Sequence, residues 1–261
     1  MRVLVTGAGR AIGAATVTEL SSRGHDVVAT ARDVGLLEPL PAVLRLRLDV
    51  TSGDSVRAAL DAAGELDAIV NNAAVTSRGP VESFPLDRWH EMFDTNVSGA
   101  LRMIQGVLPA WRARGSGVIV NVTSIQGRVG TPLESAYCAT KHALEALSES
   151  LHVEVGHFGI RVVIVEPGYI APGMKHGESY DDHLAYSELV RQWDGNDATL
   201  NPAGRPGPEV VARAISDALE RPATPLRVEV GDDAALVLGA RRSLDDAAFE
   251  AAMREVLGLT W

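Results

Sequence analysis

Short apolar runs rich in β-branched residues alternate with helical stretches along almost the whole chain, and that alternation leaves few folds open. The runs are "RVLVT" (2–6), "DVVATA" (26–31), "LRLRLDV" (44–50), "LDAIVNN" (66–72), "GVIVNVTS" (117–124), "IRVVIVEPG" (160–168) and "LRVEVG" (226–231). Several are apolar nearly throughout, as strands buried on both faces of a parallel sheet are. Helical patterns lie at 11–23, 53–63, 86–113, 134–157 and 208–220. This pattern predicts an α/β fold: a doubly wound parallel sheet of the Rossmann type, about seven strands, with helices on both faces.

No linker, low-complexity segment or internal repeat divides the chain, so residues 1–261 are expected to form a single domain. The exception to regularity is 169–207, rich in Gly and Pro and carrying Tyr169, Met174, Tyr180, Tyr186 and Trp193. A connection of that length inside a domain points to a substrate lid; the plainer alternative is a surface excursion with its own small helix. Acidic residues outnumber basic ones 34 to 24, and the formal charge of −10 disfavours nucleic acid and anionic membrane. Cys138 is the only cysteine, so neither an intramolecular disulfide nor a cysteine-rich metal site can form. The histidines are scattered, and no metal is expected. No apolar run approaches the ~20 residues that span a bilayer. With a strand from residue 2 no signal peptide is expected, which points to the cytoplasm.

"TGAGRAIG" (6–13) puts Gly7, Gly9 and Gly13 after the first strand and at the opening of the first helix. There the backbone N–H groups around Arg10, Ala11 and Ile12 can approach a dinucleotide pyrophosphate at the positive end of the helix. Ala11 stands where such loops often carry another glycine; one methyl group narrows the cradle without abolishing it. Arg32 lies just past the second strand, where the adenosine ribose would rest. An acidic residue there binds the ribose 2′-OH, whereas an arginine suits a 2′-phosphate. With Arg10 as partner it points to NADP(H), the alternative being a solvated surface arginine.

In "YCATK" (137–141), Tyr137 and Lys141 are four residues apart on a helical pattern and share a face. A nearby ammonium stabilises a phenolate, so Lys141 is expected to lower the pKa of Tyr137 and make it a usable acid or base. Ser124 ends the preceding strand, at the edge where open α/β sheets bind ligands.

With these residues in place the chain resembles the short-chain dehydrogenase/reductase family over about residues 1 to 231. The glycine motif corresponds to "TGAGRAIG", the Asp-Val after the third strand to Asp49–Val50, the "NNAG" motif to "NNAA" (71–74), and the "PG" after the sixth strand to Pro167–Gly168. The catalytic asparagine, serine, tyrosine and lysine correspond to Asn96, Ser124, Tyr137 and Lys141. "NVSGALRMIQGVLP" and "YCATKHALEALSESL" are similar to the branch that holds 17β-hydroxysteroid and retinol dehydrogenases. The resemblance implies reversible hydride transfer between a nicotinamide and a carbonyl carbon, with Tyr137 giving or taking the proton and Ser124 hydrogen-bonding the carbonyl oxygen. It implies that Lys141 holds the nicotinamide ribose and that Asn96 positions a water between Lys141 and solvent. Asp49 and Val50 would flank the adenine, and Asn72 and Ile170 would line the cofactor channel. Homodimers or homotetramers through the helices at 86–113 and 134–157 are implied as well. Three departures stand out: Ala11 and Ala74 each replace a family glycine, and Pro172 replaces a threonine whose hydroxyl holds the nicotinamide carboxamide.

The expected activity is NADP(H)-dependent interconversion of a ketone and a secondary alcohol on a fairly large, apolar small molecule. Candidate pocket residues are Gln126, Val129, Tyr169, Met174, Tyr180 and Trp193. Two alternatives stand beside it: an epimerase that uses the same residues and turns over without net consumption of NADPH, and a redox-silent NADP-binding regulator, against which the intact tetrad argues because a sensor needs no proton donor. The amphipathic "FEAAMREVLGLTW" (249–261) is left between a cover for the substrate mouth and a subunit contact.

Overall fold

Alternate residues of the first strand feed two different cores. In β1 (Arg2–Val5), Val3 and Val5 face one layer and Leu4 the other, the period of two that any strand imposes. β2 (Asp26–Ala31), β4 (Ala68–Asn71) and β5 (Gly117–Val122) are likewise buried on both faces, apart from the exposed first residue of β2. With β3 (Leu44–Arg47), β6 (Ile160–Pro167) and β7 (Arg227–Val230) they form one seven-stranded sheet, every pair parallel, in the order β3-β2-β1-β4-β5-β6-β7. This computed structural model describes residues 1–174, 179–180, 184–194 and 204–261; the remainder of the lid segment 169–207 lies outside the described residues.

One layer is closed by α1 (Ala11–Ser22) and α7 (Glu209–Glu220), which bring Val17, Leu20, Val211 and Ile215 against Val3 and Val5. The other is closed by α2 (Gly53–Ala63), α4 (Gly99–Arg114) and α5 (Ser135–Gly156), through Val56, Met103, Trp111 and Leu151. The strand order reverses between β1 and β4, and a crevice opens beyond the C-terminal ends of these strands, where such sheets bind ligands.

Two elements depart from expectation. The helix expected over 86–113 is α3 (Leu86–Phe93) and α4 joined by a π-helical turn (Asp94–Ser98), a wider turn that is common at functional sites. It carries the buried Asn96. Beyond β7 the chain continues into α8 (Asp232–Ser243) and α9 (Asp246–Leu257). Within the lid, α6 (Ser187–Asp194) is helical. No helix among the described residues is long and apolar enough to cross a membrane.

Candidate active site

A cleft of about 870 Å³ opens at the C-terminal edge of the sheet, and residues from every strand but β7 or from the turns that follow line it. Gly7, Gly9, Arg10, Ala11 and Ile12 form one side, with Arg32, Asp49, Val50, Asn72, Pro167, Gly168 and Ile170 around them. Gly13 lies behind this surface: a Cβ there would come within 2.3 Å of the Gly7 carbonyl oxygen, so only glycine lets α1 pack this closely under the loop. Ala11 occupies the left-handed region at φ 44°, which crowds an L-residue at a cost of roughly 1–2 kcal/mol. That backbone angle is why glycine suits the position.

Partly buried hydrogen bonds fix the loop. The Thr6 hydroxyl accepts the N–H groups of Asn72 and Ala73, each at 3.0 Å, and the Asn72 amide donates to the carbonyls of Thr6 (2.9 Å) and Gly7 (3.2 Å). Asn72 therefore braces the glycine loop as well as lining the channel. Asp49 Oδ1 accepts both the hydroxyl (2.7 Å) and the N–H (3.0 Å) of Thr51. The Thr51 hydroxyl, with Arg32 and Arg47 assisting, holds this carboxyl below its ordinary range. Arg10 and Arg32 are exposed, and among the described residues neither side chain makes an ion pair or a hydrogen bond. A surface of loop amides with two exposed arginines beside it fits a dinucleotide.

The reacting side meets this surface directly. Ser124, at the end of β5, takes the Gln126 N–H on its hydroxyl at 3.2 Å. Tyr137 and Lys141 sit one turn apart on α5, and all three line the cleft. Lys141 Nζ donates to the Val122 carbonyl at 2.8 Å and lies 5.5 Å from the centre of the Tyr137 ring. Burial lowers its pKa to about 8, with Glu145 opposing the shift. The expected lowering of the Tyr137 pKa is reversed: burial first, then Glu134, push the phenol well above its ordinary value, and only the Ser124 hydroxyl pulls it down. In so dry a site the phenolate loses more hydration than an ammonium engaged elsewhere returns.

Asn96 stands behind the cleft rather than in it, with Thr95 exposed to it instead. Its Oδ1 accepts the Val75 N–H (2.8 Å), and its amide donates to the Val75 carbonyl (2.9 Å) and the Thr140 hydroxyl (3.0 Å). Both amide hydrogens are engaged by protein, so the side chain positions the segment after β4 against α5 and has no N–H to give the water expected there.

Of the candidate pocket residues, Gln126, Tyr169, Met174 and Trp193 line the cleft, while Val129 and Tyr180 do not. Val129 packs with Ile125, Ala234 and Val237 under α8, the helix that was not foreseen. Tyr180 gives its backbone N–H to the Arg78 carbonyl (2.7 Å) and sets its ring edge-on to Phe84 at 5.5 Å, facing the 78–84 segment. Sequence reasoning missed Glu134, Arg205 and Leu257, which line the cleft. It also missed Asp233, buried in the first turn of α8, whose Oδ2 accepts the Tyr169 N–H at 2.7 Å. A Cβ on Gly168 would fall 2.1 Å from Asp233 Oδ1, so the glycine of Pro167–Gly168 makes room for this carboxylate. Asp232 and Asp233 in the first turn after Gly231 were the available signal. Leu257, at the end of α9, brings the C-terminal helix to the wall of the cleft.

Comparison with known proteins agrees with this geometry. Residues 1–183 match the pattern of the short chain dehydrogenase family. Human retinol dehydrogenase 8 is 32% identical over 253 residues, covering 86% of this chain and 79% of that protein. A short-chain dehydrogenase from Streptomyces avermitilis superposes with a TM-score of 0.82 at 34% identity, covering 98% of both chains. One from Burkholderia cenocepacia, solved in complex with NADP, superposes with a TM-score of 0.76 at 25% identity, covering 98% of this chain and 96% of the other. The chain belongs to the short-chain dehydrogenase family, in the neighbourhood of its retinol dehydrogenases.

Proposed function

We propose that the protein is an NADP(H)-dependent oxidoreductase that interconverts a ketone and a secondary alcohol. The observation that carries this is the shared cleft: the glycine loop, Arg10 and Arg32 face the same space as Ser124, Tyr137 and Lys141. Arg10 and Arg32 are assigned the 2′-phosphate, the loop amides the pyrophosphate, and Asp49 and Val50 the adenine. Lys141 is assigned the nicotinamide ribose. When bound, the dinucleotide supplies or takes up the hydride. The chain's own part is position and a proton. Ser124 holds the carbonyl oxygen, and Tyr137, which burial keeps in its protonated form, delivers its phenolic proton to that oxygen during reduction. A group held as phenol suits the donor's role, which favours reduction over oxidation near neutral pH. Ala74 and Pro172, both in the cleft wall, would each forgo a contact worth about 0.5–1.5 kcal/mol, too little to abolish binding.

The whole chain is read as one dinucleotide-binding and catalytic unit in the cytoplasm, with 169–207 as its lid. Homodimers or homotetramers would form through α4 and α5, whose outer faces carry the exposed Leu101 and Val153. The test is titration of the pure protein with NADPH and NADH, followed by nicotinamide fluorescence, and repeated with Arg32→Ala. Tighter binding of NADPH than of NADH is expected, with the difference collapsing in the variant. Equal affinity for both in the wild type would refute the NADP assignment, and binding of neither would refute the oxidoreductase.

A further inference from the structure

An apolar substrate was expected, yet the wall beside the reacting groups carries a carboxylate. Glu134 precedes Tyr137 by three residues at the start of α5 and lines the cleft with it. It occupies the N-cap position without a side-chain cap hydrogen bond, so the carboxylate is not used to close the helix. Its Oε2 accepts from Gln126 Nε2 and, at 3.4 Å, from the Thr131 hydroxyl. Both donors are neutral.

The cations that line the cleft on this side are engaged elsewhere. Arg78 bonds Asp194 at 2.5 Å, Arg88 pairs with Glu91, Lys141 donates to Val122, and Arg205 stacks over the Tyr169 ring at 5.1 Å. Gln126 turns its amide nitrogen toward Glu134 and the Thr131 hydroxyl (2.5 Å), an orientation the carboxylate dictates. Oε1 of Gln126 and Oε1 of Glu134 are thereby left without a protein partner among the described residues. Two acceptors, one of them charged, thus flank Ser124 and Tyr137.

An uncompensated carboxylate in a partly dry cleft is costly. It also opposes the chemistry, because its field resists the negative charge that develops on Tyr137 as the proton leaves. A cation with several N–H groups removes both penalties, whereas a neutral hydroxyl offers one hydrogen and no charge. We infer that Glu134 and Gln126 form an ammonium subsite, and that the substrate is an amino ketone, or the matching amino alcohol, with its protonated nitrogen one or two carbons from the reacting carbon. The inference rests on the oxidoreductase assignment above and narrows its substrate. Met174, Trp193 and Leu257, which also line the cleft, offer an apolar surface to the rest of the molecule. The step remains a two-electron reduction. The carbonyl π bond breaks, the carbon gains the hydride, the oxygen gains the Tyr137 proton, and the reduced nicotinamide is oxidised. The ammonium keeps its protons throughout.

The test uses the full-length protein with NADPH and two ketones of one shape: ω-aminoacetophenone, and propiophenone, in which a methyl replaces the ammonium. Binding by equilibrium dialysis and kcat/KM from NADPH consumption are measured at mildly acidic pH for the wild type and Glu134→Gln. The wild type is expected to favour the amino ketone roughly tenfold to a hundredfold in both, as a charged hydrogen-bonded pair allows. In E134Q the ratio should fall toward one, with unchanged NADPH affinity reporting an intact fold. Equal turnover of both ketones by the wild type overturns the subsite and leaves the oxidoreductase standing. A preference that survives E134Q, or no binding of either ketone, also overturns the subsite. Preferential binding that E134Q abolishes, without NADPH consumption, supports the subsite and sinks the oxidoreductase.

Discussion

The two walls of the cleft are held by different forces. The wall that carries Gly7, Ser124, Tyr137 and Lys141 is anchored in the sheet: the Thr123 N–H reaches Val165 at 2.8 Å and the Gly168 N–H reaches Val230 at 2.9 Å. Ser124, Tyr137 and Lys141 are buried, and the Ser124 hydroxyl and the Lys141 ammonium are hydrogen-bonded inside the protein. The opposite wall, α6 and the C-terminal residues, is tied by surface contacts. Arg78 holds Asp194, the Tyr186 hydroxyl donates to Glu82 at 2.8 Å, and Gln192 accepts the Thr260 N–H at 2.9 Å. Exposed ties of this kind contribute about 0–1 kcal/mol each. On the proposed function, chemistry falls where position is fixed by buried backbone, and substrate contact where position is cheap to change. Substitutions on the first wall should alter kcat and global stability, and those on the second mainly KM.

The largest break in that contrast is Tyr137→Phe. Removing the proposed proton donor should lower kcat by about 10²–10⁴-fold, with NADPH affinity changed little, as single-turnover and binding measurements would show. A comparable loss of binding would mean that the tyrosine holds the wall together instead of serving the reaction. Asn96→Ala comes next. It strands the N–H and carbonyl of Val75, while the Thr140 hydroxyl keeps its bond to the Tyr137 carbonyl at 2.8 Å, and should lower unfolding free energy in urea by roughly 2–4 kcal/mol. If activity fell while stability held, Asn96 would belong to the chemistry itself.

Lys141 gives a pH signature to the same wall. Its folded pKa of about 8 lies below the ordinary 10.5, so between these values the unfolded chain binds more protons. The associated stability is present in full above 10.5 and is lost as pH falls through about 8, an effect on the order of 2–3 kcal/mol. Tyr137, raised above 10.0, acts oppositely above that pH. Unfolding free energy of the free protein should therefore climb from pH 8 to 10, and Lys141→Met should flatten the climb. A profile identical in the variant would place the titration elsewhere. On the second wall, Gln192→Ala releases Thr260 and Trp261 at little cost in stability, and should raise KM about twofold to fivefold with kcat held, since the tie is exposed. A fall in kcat instead would erase the distinction between the walls.

This contrast also explains what could be read in the sequence. Strands buried on both faces write themselves as apolar runs, and the glycine loop and the Tyr137–Lys141 spacing follow from backbone geometry alone. The π-helical turn at Asp94–Ser98 leaves no such mark, because the hydrophobic period continues through it. Val129 and Tyr180 were misplaced because proximity in sequence to Ser124, or membership of the lid, does not say which way a side chain points. Helix α8, which claims Val129 for its own core, was not foreseen. The direction of the Tyr137 shift was misjudged because a spacing of four residues shows which groups are neighbours and says nothing of how dry the site is, or of Glu134 beside it.

Ala11 is the one irregular residue of the fixed wall, and it offers the smallest and sharpest test. Its φ of 44° costs an alanine roughly 1–2 kcal/mol, while glycine at the same place would forfeit about 0.5–1 kcal/mol of chain entropy on folding. The difference predicts that Ala11→Gly stabilises the protein by about half a kcal/mol and tightens NADPH binding by a small factor, read from urea midpoints and fluorescence titration. If the wall is as fixed as its buried hydrogen bonds imply, the strain cannot relax locally and the gain must appear in full. A destabilised variant would mean that the loop yields to the alanine methyl, and that this wall, too, is cheap to move.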